Sequence, residues 1–257
     1  MKIWCQLPGK TDLESDIIKT INQCFNVVKR ADTEITIRAL DSGLNHEYFS
    51  FPGLRFLNDR EILRNALRSE RAGYDALVIA CFFDPALFGL RQLMNIPVIG
   101  IAESSMHYAS IMGRKFAIIT SDSAYIGELE ENIDKYGMRN QVISRNAVRA
   151  IKISCGEFFG CVAGDYNLAI ESCKEVAYDC IHDGAQALIA GCGLLSPMLT
   201  KMGIFEIGGV PIIDPMIIGI KFAEMMADIH KAKIPIISRK HFYINTPDDI
   251  INATINM

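Results

Sequence analysis

The sequence has no long hydrophobic run and no block of basic charge. Apolar residues make up 50% of its 257 residues, but they occur in short runs, whereas a membrane-spanning helix needs about 18 or more consecutive apolar residues. Its charges are interspersed and sum to a formal net charge of −4. The sequence therefore predicts no membrane span, and neither nucleic acid nor an anionic membrane is expected as a partner.

Signals for export, metal binding and nucleotide binding are missing as well. Residues 1–10 lack the long apolar core and cleavage site of a signal peptide, so we expect a cytoplasmic protein. The five histidines form no i, i+4 pair, the eight cysteines include no C-x-x-C pair, and neither a Walker-type loop nor G-x-G-x-x-G occurs. We expect no metal and no cofactor, and the cysteines should remain thiols.

What the sequence does contain is a repeat that ends in cysteine. Gly-Tyr-Asp-Ala-Leu-Val-Ile-Ala-Cys (73–81) matches Gly-Ala-Gln-Ala-Leu-Ile-Ala-Gly-Cys (184–192), with the copies 111 residues apart. Each copy is followed by an apolar stretch with a proline, at 95–100 and 209–214. The repeat indicates two similar units, each with a strand that leads into a thiol.

Val- and Ile-rich runs alternate with segments of helical periodicity, which is typical of βα units that build a parallel sheet. The spacing predicts strands near 2–7, 34–40, 75–80, 97–101, 115–120, 186–190, 210–213 and 235–237. It predicts helices at 12–29, 60–72, 123–136, 167–183 and 216–232. The expected fold class is α/β, with two pseudo-symmetric lobes, each a mostly parallel sheet flanked by helices, and an active site in the cleft between them. We assign residues 1–103 plus 216–257 to the first lobe and 104–215 to the second.

The two repeated cysteines are candidates for acid/base chemistry. A cysteine after an apolar strand is more often a small core residue, and we interpret the other six cysteines in that way. Cys81 and Cys192 differ because both occupy the same place in a repeat, at the carboxyl end of a strand, where open parallel sheets bind ligands. Backbone N–H groups at such a turn can lower a thiol pKa toward neutrality and can hold an enolate. One thiolate would remove a proton from a carbon while the opposite thiol delivers another.

At these residues the chain resembles the Asp/Glu/hydantoin racemase family, most closely its hydantoin and allantoin racemase branch. The motifs that carry the resemblance follow the family's order along most of the chain. They are Ala-Cys-Phe-Phe-Asp-Pro (80–85), Pro-Val-Ile-Gly-Ile-Ala-Glu (97–103), His107, Lys-Phe-Ala-Ile-Ile-Thr-Ser (115–121), Asp-Gly-Ala (183–185), Gly-Cys-Gly (191–193) and Val-Pro-Ile-Ile-Asp (210–214).

The resemblance implies a cofactor-independent racemase or epimerase that acts beside a carbonyl, with Cys81 and Cys192 as the catalytic pair and assembly into a homo-oligomer. The substrate would be a small molecule, hydantoin-like or derived from an amino acid. The implied substrate contacts are Phe82, Phe83, Thr120, Ser121, Gly193 and Leu194, and we add the loop residues Pro8, Gly9 and Gly43, which should border the cleft. Asp84 and Pro85 would shape the first turn, which is compatible with a capped helix start.

The chain departs from the family pattern at two loops. Close relatives carry Asn-Pro-Asn where this chain has Leu7-Pro8-Gly9, and they carry Ala-Gly-Met after the second cysteine where this chain has Gly193-Leu194-Leu195. The first change removes two amides that could bind substrate, so the preferred substrate can differ.

Other functions and other residues stay open at this point. A maleate-isomerase-like cis–trans isomerase would also use two cysteines, a decarboxylase fits less well because this chain keeps Cys81, and a two-lobed binding protein would need no catalysis. Several polar residues suit either the site or an ordinary cap, turn or surface position: Ser42, Glu103, His107, Arg145, Arg149 and Asp214.

Overall fold

The strands form two separate sheets in the computed structural model, which describes residues 1–45 and 48–255. The first sheet has the order β2-β1-β3-β4 and is parallel throughout. Its strands are β1 (Lys2–Gln6), β2 (Glu34–Arg38), β3 (Ala76–Ile79) and β4 (Val98–Gly100). Since β1 and β3 lie inside the sheet, their carboxyl ends open onto its centre.

The second sheet has the order β6-β5-β7-β9-β8. Its strands are β5 (Phe116–Thr120), β6 (Val148–Ala150), β7 (Ala187–Ala190), β8 (Glu206–Ile207) and β9 (Val210–Ile213). All described pairings are parallel except that of β8 with β9. The inner strand β7 therefore corresponds to β3 of the first sheet, which confirms the expected fold of two mostly parallel α/β lobes.

Helices cover both sheets. They are α1 (Asp16–Val28), α2 (Pro52–Arg71), α3 (Leu87–Leu93), α4 (Ile101–Met112), α5 (Ile126–Lys135), α6 (Cys155–Val162), α7 (Asn167–His182), α8 (Leu195–Lys201), α9 (Pro215–Lys231) and α10 (Asp248–Ile255). In the described part of the chain, none of them is both long and apolar enough to cross a membrane.

The repeated glycines end helices in the same way. Gly73 follows α2 and Gly184 follows α7, and both have positive φ, +76° and +97°. In each copy the glycine N–H and the next N–H bond back to carbonyls of the last helical turn. Because glycine adopts this conformation without a Cβ clash, it stops the helix and sends the chain into β3 or β7.

Two helices cross between the sheets. The helix α4 follows β4 yet packs on β7, and α9 follows β9 yet packs on β3 and on α4. Gly219 permits the close crossing, because a Cβ there would lie 2.7 Å from Ile101 Cγ2 and 3.2 Å from Val78 Cγ1. This exchange of helices holds the two sheets together with their strand ends facing a shared space.

Seven of the predicted strands lie within about a residue or two of their expected positions, a precision normal for pattern reading. The strand at 235–237 was wrong: residues 232–247 form an irregular segment over the first lobe, and Pro235 has no N–H to add to a ladder. The short strands β6 and β8 were missed because three or two residues carry too little periodicity to detect.

Candidate active site

Cys81 and Cys192 lie just beyond the inner strands of the two sheets, and both line one cavity of about 350 Å³. Cys81 comes two residues after β3, and Cys192 two residues after β7. The fold therefore brings the two repeated thiols to the same space from opposite lobes.

The turns that carry the thiols touch each other. A Cβ on Gly191 would lie 3.1 Å from Phe82 Cε1 in the opposite turn and 2.5 Å from Ile118 Cγ2. A Cβ on Gly193 would approach the carbonyl oxygen of Ala80 at 3.4 Å. Only a residue without a side chain fits at 191 without displacing its neighbours.

Cys81 is a deeply buried thiol with only 7% of its surface exposed. Burial raises the pKa of the Cys81 thiol well above its usual range, because a thiolate there loses its hydration. The Phe83 N–H and the Arg55 guanidinium work in the opposite direction but do not outweigh burial. The expectation of a depressed pKa was thus wrong for Cys81, since a turn N–H cannot replace the lost water.

Cys192 has a more open and more polar setting. It is partly exposed, and the Ser121 hydroxyl donates a hydrogen bond to its sulfur at 3.3 Å. Ser121 follows the last residue of β5, the strand next to β7. The second lobe therefore supplies both the Cys192 thiol and a donor for its sulfur.

Six of the predicted substrate residues line the cavity with the two cysteines. They are Pro8, Phe82, Phe83, Ser121, Gly193 and Leu194. The other three do not line it: Thr120 is fully buried in β5, Gly9 is buried against Leu44 and Phe49, and Gly43 is exposed in the loop after β2. A Cβ on Gly9 would lie 2.8 Å from the Leu44 carbonyl oxygen, so this loop has no space for a larger residue at position 9.

The loops after β1 and β2 are joined by a buried asparagine that the sequence did not reveal. Asn58, 1% exposed, donates to the Pro8 carbonyl oxygen at 2.9 Å and accepts from the Leu44 N–H at 2.9 Å. Its carbonyl oxygen would lie 2.6 Å from a Cβ on Gly43, whose φ is +125°. Glycine at position 43 therefore allows the loop after β2 to pack closely against Asn58, since a side chain there would clash.

Most of the remaining residues of the cavity wall were not predicted from the sequence. Its apolar part is Leu7, Ile17, Ile18, Ile21, Phe49, Ala80, Phe158, Phe159, Val162 and Gly191, and its polar part is Lys10, Thr11, Asp12, Ser15, Asn45 and Tyr125. The isoleucines form the apolar stripe of α1, which indicates an ordinary core-facing helix. Nothing in the local sequence distinguishes a stripe that faces a cavity from one that faces the core.

Asp84 holds the Cys81 turn onto a distant helix. Its buried carboxylate accepts hydrogen bonds from the backbone N–H groups of Ala102 (3.1 Å) and Glu103 (2.9 Å) and from the Tyr136 hydroxyl (2.8 Å). Asp84 thus caps α4 rather than the helix that follows it. Burial raises the pKa of the Asp84 carboxyl to about 6, although these donors oppose the shift.

The other polar candidates have structural partners. Asp214 caps α9 through the Met216 N–H at 2.9 Å, which matches the loop-capping alternative. Glu103 pairs with Arg91 and lines, with His107, a separate cavity of about 450 Å³.

Two further candidates lie elsewhere. Arg149 pairs with Asp183, and Arg145 is exposed. Across residues 1–45 and 48–255, no three or more His, Cys, Asp or Glu side chains are grouped as a metal site would require.

Two mostly parallel α/β lobes are also the fold of solved racemases. Allantoin racemase from Klebsiella pneumoniae has the same fold, with a TM-score of 0.75 at 22% identity over 96% of this chain and 94% of that one. A profile described as Asp/Glu/Hydantoin racemase matches residues 55–223.

Sequence relatives agree. A hydantoin racemase of Pseudomonas sp. (strain NS671) is 30% identical over 220 residues, covering 83% of this chain and 82% of the relative. A hydantoin racemase of Rhizobium meliloti is 28% identical over 216 residues, covering 78% and 79%. The chain belongs to the Asp/Glu/hydantoin racemase family and is an isomerase of the racemase type, which confirms the resemblance drawn from its motifs.

Proposed function

We propose that this protein racemises a carbon acid without a cofactor, using Cys81 and Cys192 on opposite faces of a carbon next to a carbonyl. The observation that carries the proposal is the shared cavity, which both cysteines line from different lobes. A single-site binding protein has no need of two thiols in equivalent places, whereas inversion by two bases requires one on each side of the carbon.

The two sulfurs take different roles in the resting enzyme. Burial keeps Cys81 protonated, so it is the proton donor, and Cys192, which is partly exposed and accepts a hydrogen bond from Ser121, is the base. The C–H proton moves to the Cys192 sulfur, and its electron pair spreads onto the carbonyl oxygen as an enolate. The Cys81 proton then forms the new C–H bond on the other face, leaving a thiolate at Cys81 and a thiol at Cys192. Catalysis in the reverse direction starts from that state.

The cavity wall favours a hydantoin-like or amino-acid-derived substrate with an apolar substituent. Phe158, Phe159 and Val162 of α6 form one side, and Ile18 and Ile21 of α1 contribute to the rest of the wall. The lining also includes the polar residues Lys10, Thr11, Asp12, Ser15 and Asn45, which can bind ring N–H and carbonyl groups.

The test is hydrogen exchange with pure enantiomers in deuterated solvent. Cys81→Ala and Cys192→Ala should each stop racemisation of 5-substituted hydantoins, allantoin or amino acids, whichever the wild type accepts. Cys81→Ala retains the base Cys192, so it should still exchange the α-hydrogen of one enantiomer only. Cys192→Ala retains only Cys81, which burial keeps protonated, so its exchange should be confined to the opposite enantiomer and should appear only at higher pH.

Cys173→Ala is the matched control, because it removes a buried sulfur in α7 that does not line the cavity. It should leave both racemisation and exchange intact. Full racemisation by either site variant would contradict the two-base proposal, and a stable covalent adduct on one cysteine would point to cis–trans isomerisation instead.

We further propose that the lobes divide at 1–103 plus 216–257 and 104–215, and that the protein is a cytoplasmic homo-oligomer. The packing of α9 on β3 supports the return of residues after 215 to the first lobe. None of the eight cysteines, all of which lie in the described part of the chain, forms a disulfide, and this suits a reducing compartment. Exposed apolar side chains at the start of α2, including Phe56 (74%) and Leu57 (62%), suit an interface. A monomeric mass by light scattering would contradict the oligomer.

A further inference from the structure

One face of α5, in the second lobe, contacts the Cys81 turn of the first lobe at successive helical steps. Tyr125, Glu128, Asn132 and Tyr136 are spaced by three, four and four residues, so they lie along one side of the helix and its ends. The Tyr125 ring meets the Phe83 ring edge-on with centroids 5.1 Å apart. The other three reach the first lobe through polar groups.

These polar contacts converge on the same turn. Asn132 Nδ2 donates to the Phe83 carbonyl oxygen at 3.2 Å, and the Tyr136 hydroxyl donates to Asp84 Oδ2 at 2.8 Å. Glu128 pairs with Arg55, whose guanidinium carbon lies 3.8 Å from the centroid of the Phe83 ring. Phe83 is therefore held by its ring on two sides and by its carbonyl oxygen.

The backbone of the turn after Cys81 is strained at two residues. Asp84 and Ala86 have φ angles of +49° and +55°, in the left-handed region that non-glycine residues rarely adopt. Such conformations persist only where the surroundings over-determine them. The Asp84 carboxylate also packs directly on Gly100, where a Cβ would lie 2.4 Å from its Oδ2.

The Phe83 N–H connects this arrangement to the chemistry. Phe83 lies in the turn that the Asp84 N–H closes on the Cys81 carbonyl oxygen at 3.0 Å, and its N–H favours the charged form of the Cys81 sulfur. Charged groups around that sulfur are Arg55, which favours the thiolate, and Asp84 and Glu128, which oppose it. Since burial removes water from the sulfur, this backbone donor is a main source of stabilisation for the negative charge that forms there during turnover.

We propose that Asn132 and Tyr136 are positioning residues for Cys81: from the opposite lobe they hold the Phe83 N–H near the sulfur, so that its thiolate forms more readily when the lobes are together. The consequence for turnover rests on the proposed two-cysteine function, but the reactivity of the Cys81 thiol does not. Neither Asn132 nor Tyr136 lines the cavity that contains Cys192, so these two residues couple lobe contact to Cys81 alone.

The test measures alkylation of Cys81 and Cys192 in the same sample. The full-length protein is treated with iodoacetamide across a range of pH, and the modification of each cysteine is followed by peptide mass spectrometry. Asn132→Ala and Tyr136→Phe should move the Cys81 profile to higher pH and slow its alkylation about tenfold at a given pH, the effect of one unit of pKa. The Cys192 profile should stay unchanged.

Two variants serve as controls. Glu131→Ala changes an exposed residue on another face of α5, and Tyr178→Phe removes an exposed hydroxyl in α7. Both should leave the two profiles as in the wild type. Tyr136→Phe keeps the ring that packs on Phe88, so it tests the hydroxyl even if Asn132→Ala unfolds.

The outcomes separate this proposal from the racemase proposal. An unchanged Cys81 profile in folded Tyr136→Phe overturns it, and so does equal slowing of both cysteines, which would indicate general loosening. A shift confined to Cys81 supports it, even if no substrate is racemised and the proposed function fails.

Discussion

Replacing Gly191 by alanine tests the close contact between the two cysteine turns. The new Cβ would lie 2.5 Å from Ile118 Cγ2 and 3.1 Å from the Phe82 ring. Both neighbours are buried, Ile118 at 0% and Phe82 at 4% exposure, so neither can move aside into solvent. We expect a less stable protein in which Phe82 is displaced from its present position.

The size of the effect follows from two opposing contributions. Overpacking a core costs about 1–3 kcal/mol, while alanine in place of glycine restricts the unfolded chain and returns about 0.4–1 kcal/mol. The net loss therefore lies between about 0 and 2.6 kcal/mol, with a midpoint of about 1.3 kcal/mol. For a chain of this length, each kcal/mol corresponds to about 2–4 °C, so at that midpoint the melting temperature should fall by roughly 3–5 °C.

Gly193→Ala is the matched control, two residues away on the other side of Cys192. Its Cβ would lie 3.4 Å from the Ala80 carbonyl oxygen and 3.6 Å from Met216 Sδ, which are ordinary contacts. Scanning calorimetry should show its melting temperature within about 2 °C of the wild type. Equal melting temperatures for the two variants would refute the proposed packing of the turns.

Three further predictions concern the site. Ser121→Ala removes the hydroxyl that donates to the Cys192 sulfur, so alkylation of Cys192 should slow severalfold at a given pH while alkylation of Cys81 is unchanged; a change at both would contradict a local role. Asp84 has a folded-state pKa of about 6 against an ordinary 3.8, so its folded form binds the proton more tightly. Its contribution to the free energy of unfolding is therefore complete below about pH 4, and about 1–3 kcal/mol is lost as the pH rises through 6. Urea titrations of Asp84→Asn should show no such fall in the free energy of unfolding over this pH range. Val162→Phe enlarges a side chain in the cavity wall, and it should lower kcat/KM for substrates with bulky substituents more than for those with small ones, an outcome that a cavity elsewhere would not produce.

The parts of the fold that could be predicted are those with local causes. Gly73 and Gly184 end helices because glycine adopts a positive φ at low cost. The runs that follow them are strands because they are short and apolar. The repeat of these local signals was enough to predict two lobes and to single out Cys81 and Cys192. The crossing of α4 and α9 between the sheets could not be read in this way, since it depends on Gly219 meeting residues more than a hundred positions away.

The candidate site shows the same division. Residues next to the cysteines, such as Phe82 and Gly193, were found because they share a turn with the thiol. Phe158 and Lys10 were missed because they reach the cavity from other segments, and their local sequence resembles an ordinary helix or loop.

By itself, the sequence determined that two equivalent thiols end two equivalent strands, because helix caps and apolar runs act within a few residues. The tertiary structure decided what surrounds each sulfur. It buries Cys81 so that desolvation raises its pKa, directs the Ser121 hydroxyl to Cys192, and brings α5 from the other lobe onto the Cys81 turn. Solvation and charge at an atom are sums over neighbours in space, so no local pattern could have supplied them.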